Sequence, residues 1–179
     1  MNTKMKQTAR ILSAMALMAG AGFAQAGTAT ANLTVGASVA ANCTISTTAI
    51  TFGAYDPVSG GNVSASGTVV VGCTKNATGL WVGLGNGSNF ASSTRNLLGG
   101  TNADKLAYAL RQPSATTPDA LCSGFGVGTA WSNSVGTALN LSTSPGKAER
   151  TYKVCGEIVS GQDVSVDTYA DTVVATINF

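Results

Sequence analysis

From Ala29 onward, apolar residues occupy alternate positions: Ala29, Ala31, Leu33, Val35, Ala37, Val39, Ala41, Cys43 and Ile45. Thr28, Thr30, Asn32, Thr34, Ser38, Asn42, Thr44 and Ser46 fill most of the places between. A period of two is that of a strand with one apolar face. Shorter runs of this kind recur at residues 68–74, 80–84, 106–110, 152–158 and 172–179. Turn formers separate them: Asp56-Pro57, Gly60-Gly61-Asn62, Gly85-Asn86-Gly87, Gly99-Gly100, Ser144-Pro145-Gly146 and Gly161-Gln162. Beyond residue 26, no window of a dozen residues carries a 3.6-residue period. The pattern predicts an all-β chain of about seven short strands, folded as a single antiparallel β-sandwich. Residues 112–147, rich in Gly, Ser, Thr and Pro, are expected to hold long loops beside one or two short strands.

The first 26 residues follow a different logic. Lys4, Lys6 and Arg10 precede an apolar run from Ile11 to Ala21, and Ala24-Gln25-Ala26 supplies small residues where a signal peptidase reads. The run is short for a bilayer span. Residues 1–26 are therefore expected to be a signal peptide cleaved before Gly27, with no stable membrane insertion of the mature chain. Ten basic residues less the three in this leader leave seven against eight acids, a mature net charge of −1.

Composition then narrows the chemistry. Charged residues are 10% of the chain and His is absent. Nucleic-acid binding lacks its basic surplus, and a serine triad lacks its base. No catalysis, metal or cofactor is expected. Gly83-x-Gly85-x-Gly87 and Gly124-x-Gly126-x-Gly128 lack phosphate-loop spacing and read as turns. Asp163, Asp167 and Asp171 read as solvated acids rather than a calcium site. Trp81 and Trp131 read as packing residues, with sugar stacking as the alternative.

Four cysteines in an exported chain imply two disulfides, although four permit three connectivities. Cys43 and Cys73 share the parity of their apolar neighbours, which suits a Cys43–Cys73 bridge inside the core. Cys155 alternates with Lys153 and Glu157, so a Cys122–Cys155 bridge would tie a loop onto an outer face. Loops of this length are worth roughly 3–4 kcal/mol each in the chain-entropy model.

The first alternating stretch is unusual. It runs from residue 28 to 46 without a turn signal, and no charge occurs from Gly27 to Tyr55. Edge strands normally carry charges or Pro against pairing with other chains. Two readings compete. Residues 28–46 form one long first strand closing the chain's own sandwich, or residues 28–40 project and complete a sheet in another molecule. Burying Leu33, Val35 and Val39 there would contribute about 1.5–3 kcal/mol each as an upper figure.

Several motifs carry a family resemblance. They are Asn42-Cys43-Thr44-Ile45, Ile50-Thr51-Phe52-Gly53-Ala54-Tyr55-Asp56-Pro57 and Gly67-Thr68-Val69-Val70-Val71-Gly72-Cys73. The last is the ending Tyr169-Ala170-Asp171-Thr172-Val173-Val174-Ala175-Thr176-Ile177-Asn178-Phe179. With them the chain resembles the spore coat protein U domain family, which shares its fold with archaic chaperone–usher pilus subunits. The resemblance implies an incomplete immunoglobulin-like sandwich lacking its last strand, spanning residues 41–179, and a donor-strand extension at residues 27–40. Leu33, Val35, Ala37 and Val39 would plug a neighbour's groove. Val173, Ala175, Ile177 and Phe179 would form one wall of the acceptor groove, which is also the chaperone-binding site. The implied partners are identical or related pilin subunits, a periplasmic chaperone and an outer-membrane usher. The implied location is the cell surface, reached through the periplasm, and the implied role is a fimbrial subunit supporting adhesion or biofilm formation. The alternatives are a spore or cell-surface coat protein of the same fold and a secreted carbohydrate-binding β-sandwich.

Overall fold

The computed structural model describes residues 26–179, so the expected signal peptide lies outside the described residues apart from Ala26. The chain divides into two units between Ala37 and Ser38. Residues 26–37 contain no regular element and are exposed throughout. Residues 38–179 carry nine strands: β1 Cys43–Thr48, β2 Val63–Cys73, β3 Trp81–Leu84, β4 Arg95–Gly99, β5 Lys105–Arg111, β6 Leu139–Asn140, β7 Arg150–Ile158, β8 Tyr169–Ala170 and β9 Ala175–Asn178. Among the described residues there is no helix, hence none long and apolar enough to cross a membrane.

The strands form two antiparallel sheets, one ordered β1-β2-β7-β5-β4-β8 and the other β6-β3-β9. This is the all-β antiparallel sandwich that the alternation predicts, in the immunoglobulin-like form that the resemblance implies. Register fixes the inner face of the large sheet. Val69 and Val71 stand opposite Tyr152 and Arg150, Gly67 opposite Val154, and Leu110 opposite Gly156. Side chains of this parity meet Val82, Leu84 and Leu139 of the small sheet, with Trp131 fully buried between. At about 25 cal/mol per Å² of apolar surface, this burial is the main favourable term of the fold.

Nine strands stand where about seven are expected, and several elements differ from expectation. The alternation begins at Thr28, but the first strand begins at Cys43. A strand needs a partner edge: Cys43 pairs with Cys73, the end of β2, and beyond it the Thr74 amide bonds Asn42 O at 2.8 Å. Asn76 then turns the chain away at φ +63°. Strand β2 starts at Val63, before its apolar run, because β7 pairs with it from Val63 to Val71. β4 is unexpected, since its inward residues are Arg95, Leu97 and Gly99 and only one is apolar. β9 covers only Ala175–Asn178 of the final run.

Candidate strand-acceptor groove

The two sheets are unequal, six strands against three, and two strands end up as edges facing the same opening. β1 pairs only with β2 and β9 only with β3. Between them lies a cavity of about 280 Å³ whose walls include Thr47, Thr48, Val173 and Ala175. Core residues Val69, Leu84, Leu110 and Val154 form its floor. A second cavity of about 640 Å³ shares Ile50, Phe52, Leu97 and Asp171 with the first and continues between residues 50–57 and 164–171. The apolar interior is thus reachable along a groove bounded by unpaired strand edges.

The motif after β1 builds the floor of this groove. Ile50 and Phe52 pack where two inward positions of the large sheet have no side chain. A Cβ on Gly156 would meet the Phe52 ring at 2.7 Å, and one on Gly67 would meet Thr48 O at 2.6 Å and Ile50 at 2.8 Å. Phe52 meets Tyr108 edge-on, with ring centroids 6.1 Å apart. Gly53 then takes φ +71°, a conformation that glycine adopts without strain. The Tyr55 hydroxyl accepts from the Gln162 amide at 2.8 Å. Asp56 closes the turn by accepting from Val58 N at 2.8 Å and Ser59 Oγ at 2.7 Å, which holds its carboxyl below its ordinary pKa.

A polar cluster lies at the junction of the two cavities. Asp171 accepts from the Tyr108 hydroxyl at 2.7 Å and from the Asn89 amide and side chain at 3.1 Å. Burial, and then this bond to Asp171, push the Tyr108 hydroxyl far above its ordinary pKa, so it remains a donor. Arg95, inward on β4, donates to Gly85 O at 2.7 Å and Trp131 O at 2.8 Å. Burial pulls its guanidinium below its ordinary value. These bonds tie β4, the β3 end and the segment before β9 together without covering the groove.

The residues singled out in the sequence fall in three places. Leu33, Val35 and Val39 are 87%, 85% and 83% exposed, and Ala37 is exposed as well. Val173, Ala175 and Ile177 pack against the core; Val173 and Ala175 line the groove, whereas Phe179 is 56% exposed. Cys43 is bonded to Cys73 across the β1–β2 pair, with Cα atoms 4.1 Å apart, and Cys122 is bonded to Cys155. Trp131 is fully buried and donates to Val82 O at 2.8 Å, so it offers no sugar platform. Asp167 accepts main-chain bonds from Thr101 and Asn102 while Asp171 holds Tyr108; the described residues contain no acidic group placed to hold a metal ion. Sequence reasoning did not single out Tyr108 or Gly156, and it read Asp171 as a solvated acid, whereas Asp171 is half-buried and holds Tyr108 and Asn89. Asp171 sits within the Tyr-x-Asp-Thr-Val ending, which carried the signal; Gly156 carried none.

A family model described as the Spore Coat Protein U domain matches residues 29–176. Protein U of Myxococcus xanthus is 33% identical over 171 residues, covering 87% of this chain and 88% of that protein. Among solved structures, a CsuC–CsuE chaperone–tip adhesion subunit pre-assembly complex from archaic chaperone–usher Csu pili of Acinetobacter baumannii matches with a TM-score of 0.52. Identity there is 22%, a likeness of fold, and it covers 79% of this chain but 40% of the solved one. With its groove motif and most of its ending, residues 169–176, inside the matched span, the chain belongs to the Spore Coat Protein U domain family.

Proposed function

We propose that this chain is a structural subunit of a surface pilus, assembled by donor-strand exchange. Residues 27–40 of one copy add a strand between β1 and β9 of the next, and Leu33, Val35, Ala37 and Val39 fill its groove. Val173, Ala175 and Ile177 form one wall, with Phe179 at its end. The observation that carries this reading is the opening between two unpaired edges, which gives direct access to core residues Val69 and Val154. The exposed, charge-free extension supports it, because strand addition supplies main-chain bonds and alternate side chains together. Before assembly, a periplasmic chaperone shields the same groove, and an outer-membrane usher exchanges it for the next subunit. The product is a non-catalytic fibre at the cell surface that supports adhesion or biofilm formation.

A coat protein of the same fold is the second reading, favoured by the description of the matching family as the Spore Coat Protein U domain. The two readings share the polymerisation step and differ in where the polymer is laid down.

Purified mature protein is expected to form ladders that resist mild detergent. Deleting residues 27–40 abolishes them, and Leu33→Asp does the same while leaving monomer stability within about 0.5 kcal/mol, as for other exposed substitutions. A deletion variant that polymerises normally overturns the reading. Immunogold labelling of intact cells against spores separates a fibre from a coat.

A further inference from the structure

A segment tethered beside a groove meets that groove at an effective concentration on the order of millimolar, well above that of a second copy in dilute solution. Yet Leu33, Val35 and Val39 are exposed rather than buried in their own domain. Insertion into a neighbour therefore needs a feature that holds self-insertion back, and the root of the extension carries one.

Residues 38–42 belong to the folded unit, and no turn or bend occurs among them. Thr74 holds them. The Cys43–Cys73 pair is the last of the β1–β2 ladder, and beyond it Thr74 N donates to Asn42 O at 2.8 Å. The Thr74 carbonyl is turned to Ala77 N, from which it accepts at 3.1 Å in the turn that follows. Its hydroxyl takes the place that the carbonyl leaves: Thr74 Oγ1 accepts from Asn42 N at 3.0 Å. The hydroxyl proton has two acceptors within reach, Asn42 O at 3.2 Å and Ala40 O at 3.4 Å. Ala40 and Asn42 are alternate residues, so the chain passes Thr74 extended and continues β1 instead of doubling back.

The groove lies the other way. Its wall on β1 starts at Thr47, near the end of the strand remote from Cys43. To bring Leu33 or Val35 there, the chain must reverse within residues 38–42, the segment that Thr74 holds. That segment, Ser38-Val39-Ala40-Ala41-Asn42, contains neither Gly nor Pro to make a tight reversal. Gly36 offers one, but a hairpin about Gly36 sets Leu33 opposite Val39, short of β1.

We propose that Thr74 is the positioning residue that commits the extension to a second copy of this chain. The inference rests on the strand-acceptor reading and names what makes insertion intermolecular. Thr74 lines neither cavity and acts only through Asn42 and Ala40, by closing the shorter route.

The test refolds the mature chain from denaturant at one protein concentration and separates ladders from monomers in mild detergent. Thr74→Val, which keeps the shape and loses the hydroxyl, is expected to raise the monomer fraction about fivefold, the size of one lost hydrogen bond. Thr74→Ser is expected to restore the wild-type ladder. Thr74→Val monomers, with their own strand inserted, are expected to melt at a higher temperature than the same variant lacking residues 27–40. An unchanged monomer fraction in Thr74→Val overturns the inference and leaves strand insertion standing. Extra monomers that melt no higher than the shortened variant overturn it as well, because a merely structural role for Thr74 gives that result. Should Thr74→Val not fold, amide exchange in freshly refolded wild-type monomers decides. An Asn42 amide as protected as those of β1 supports the inference, and one as fast as those of residues 28–37 overturns it. A chain lacking residues 27–40 that polymerises normally overturns the strand-acceptor reading, and the role of Thr74 with it.

Discussion

The two faces of strand β7 are finished differently. Its outward residues Cys155 and Glu157 lie beneath the 112–130 loop, 6% and 5% exposed. Every group there has a partner: Glu157 takes Arg111 Nε at 2.6 Å and Gly126 N at 2.8 Å, Arg111 also reaches Gly128 O at 2.9 Å, and Cys155 is bonded to Cys122. Its inward residues Arg150 and Tyr152 are as deeply buried, yet both keep unpaired atoms. One strand thus bears a face whose buried polar groups are partnered and a face that keeps unpaired donors. Leaving such donors unpaired costs the full desolvation penalty.

This contrast can be broken most forcefully at the finished face. Replacing Cys122 and Cys155 together by Ser opens a loop with a sequence separation of 33 residues, and the expected loss is about 3–4 kcal/mol. Urea unfolding of the monomer checks it. If the loop only decorates the sheet, the midpoint will hardly move. The affinity of the groove for a synthetic peptide of residues 27–41 is expected to stay the same in this variant, which would separate the two faces of β7, since inward Val154 lines the groove.

A smaller effect is expected at the groove floor. Gly156→Ala places a methyl against the Phe52 ring, which must shift or leave its seat. Overpacking of this kind costs about 1–3 kcal/mol. Here stability and peptide binding are expected to fall together, since Phe52 borders both cavities. A variant that loses stability and binds peptide unchanged would show that the floor is not part of the acceptor.

The smallest effect is expected from alkali. The folded-state pKa of the Tyr108 hydroxyl is raised, so the folded chain holds this proton more tightly than the unfolded chain does. Its contribution is complete below the unfolded value of about 10 and is lost as pH rises beyond that toward the folded value. Tyr108→Phe is expected to flatten the decline of stability above about pH 10, measured by unfolding midpoints across that range. An unchanged slope would place the alkaline sensitivity elsewhere, Tyr152 being the other buried phenol with a raised pKa.

Much of the fold could be read from particular residues. The parity of Val69, Val71 and Cys73 predicted their inward orientation, and Cys43, on the opposite strand, is bonded to Cys73. The outward parity of Cys155 and Glu157 was legible too, but not their burial, because the covering loop has no period. β4 escaped because Arg95 enters the interior on main-chain carbonyls rather than on apolar contacts. The motif from Ile50 to Pro57 was visible as a pattern; its work, filling the space over Gly67 and Gly156, required knowing which glycines lie opposite.

The sequence by itself determined which side of each strand is apolar, since the pleat alternates side chains whatever the neighbours are. It also determined that the first stretch carries no charge to protect an exposed edge. Which strands became edges was decided only in three dimensions. Pairing runs from β1 beside β2 to β9 beside β3, where Trp81 meets Asn178, 97 residues away, and that assignment opened a groove to the core and left two nitrogens of Arg150 without an acceptor. A donor's lack of a partner is a property of everything around it, so no local pattern encodes it.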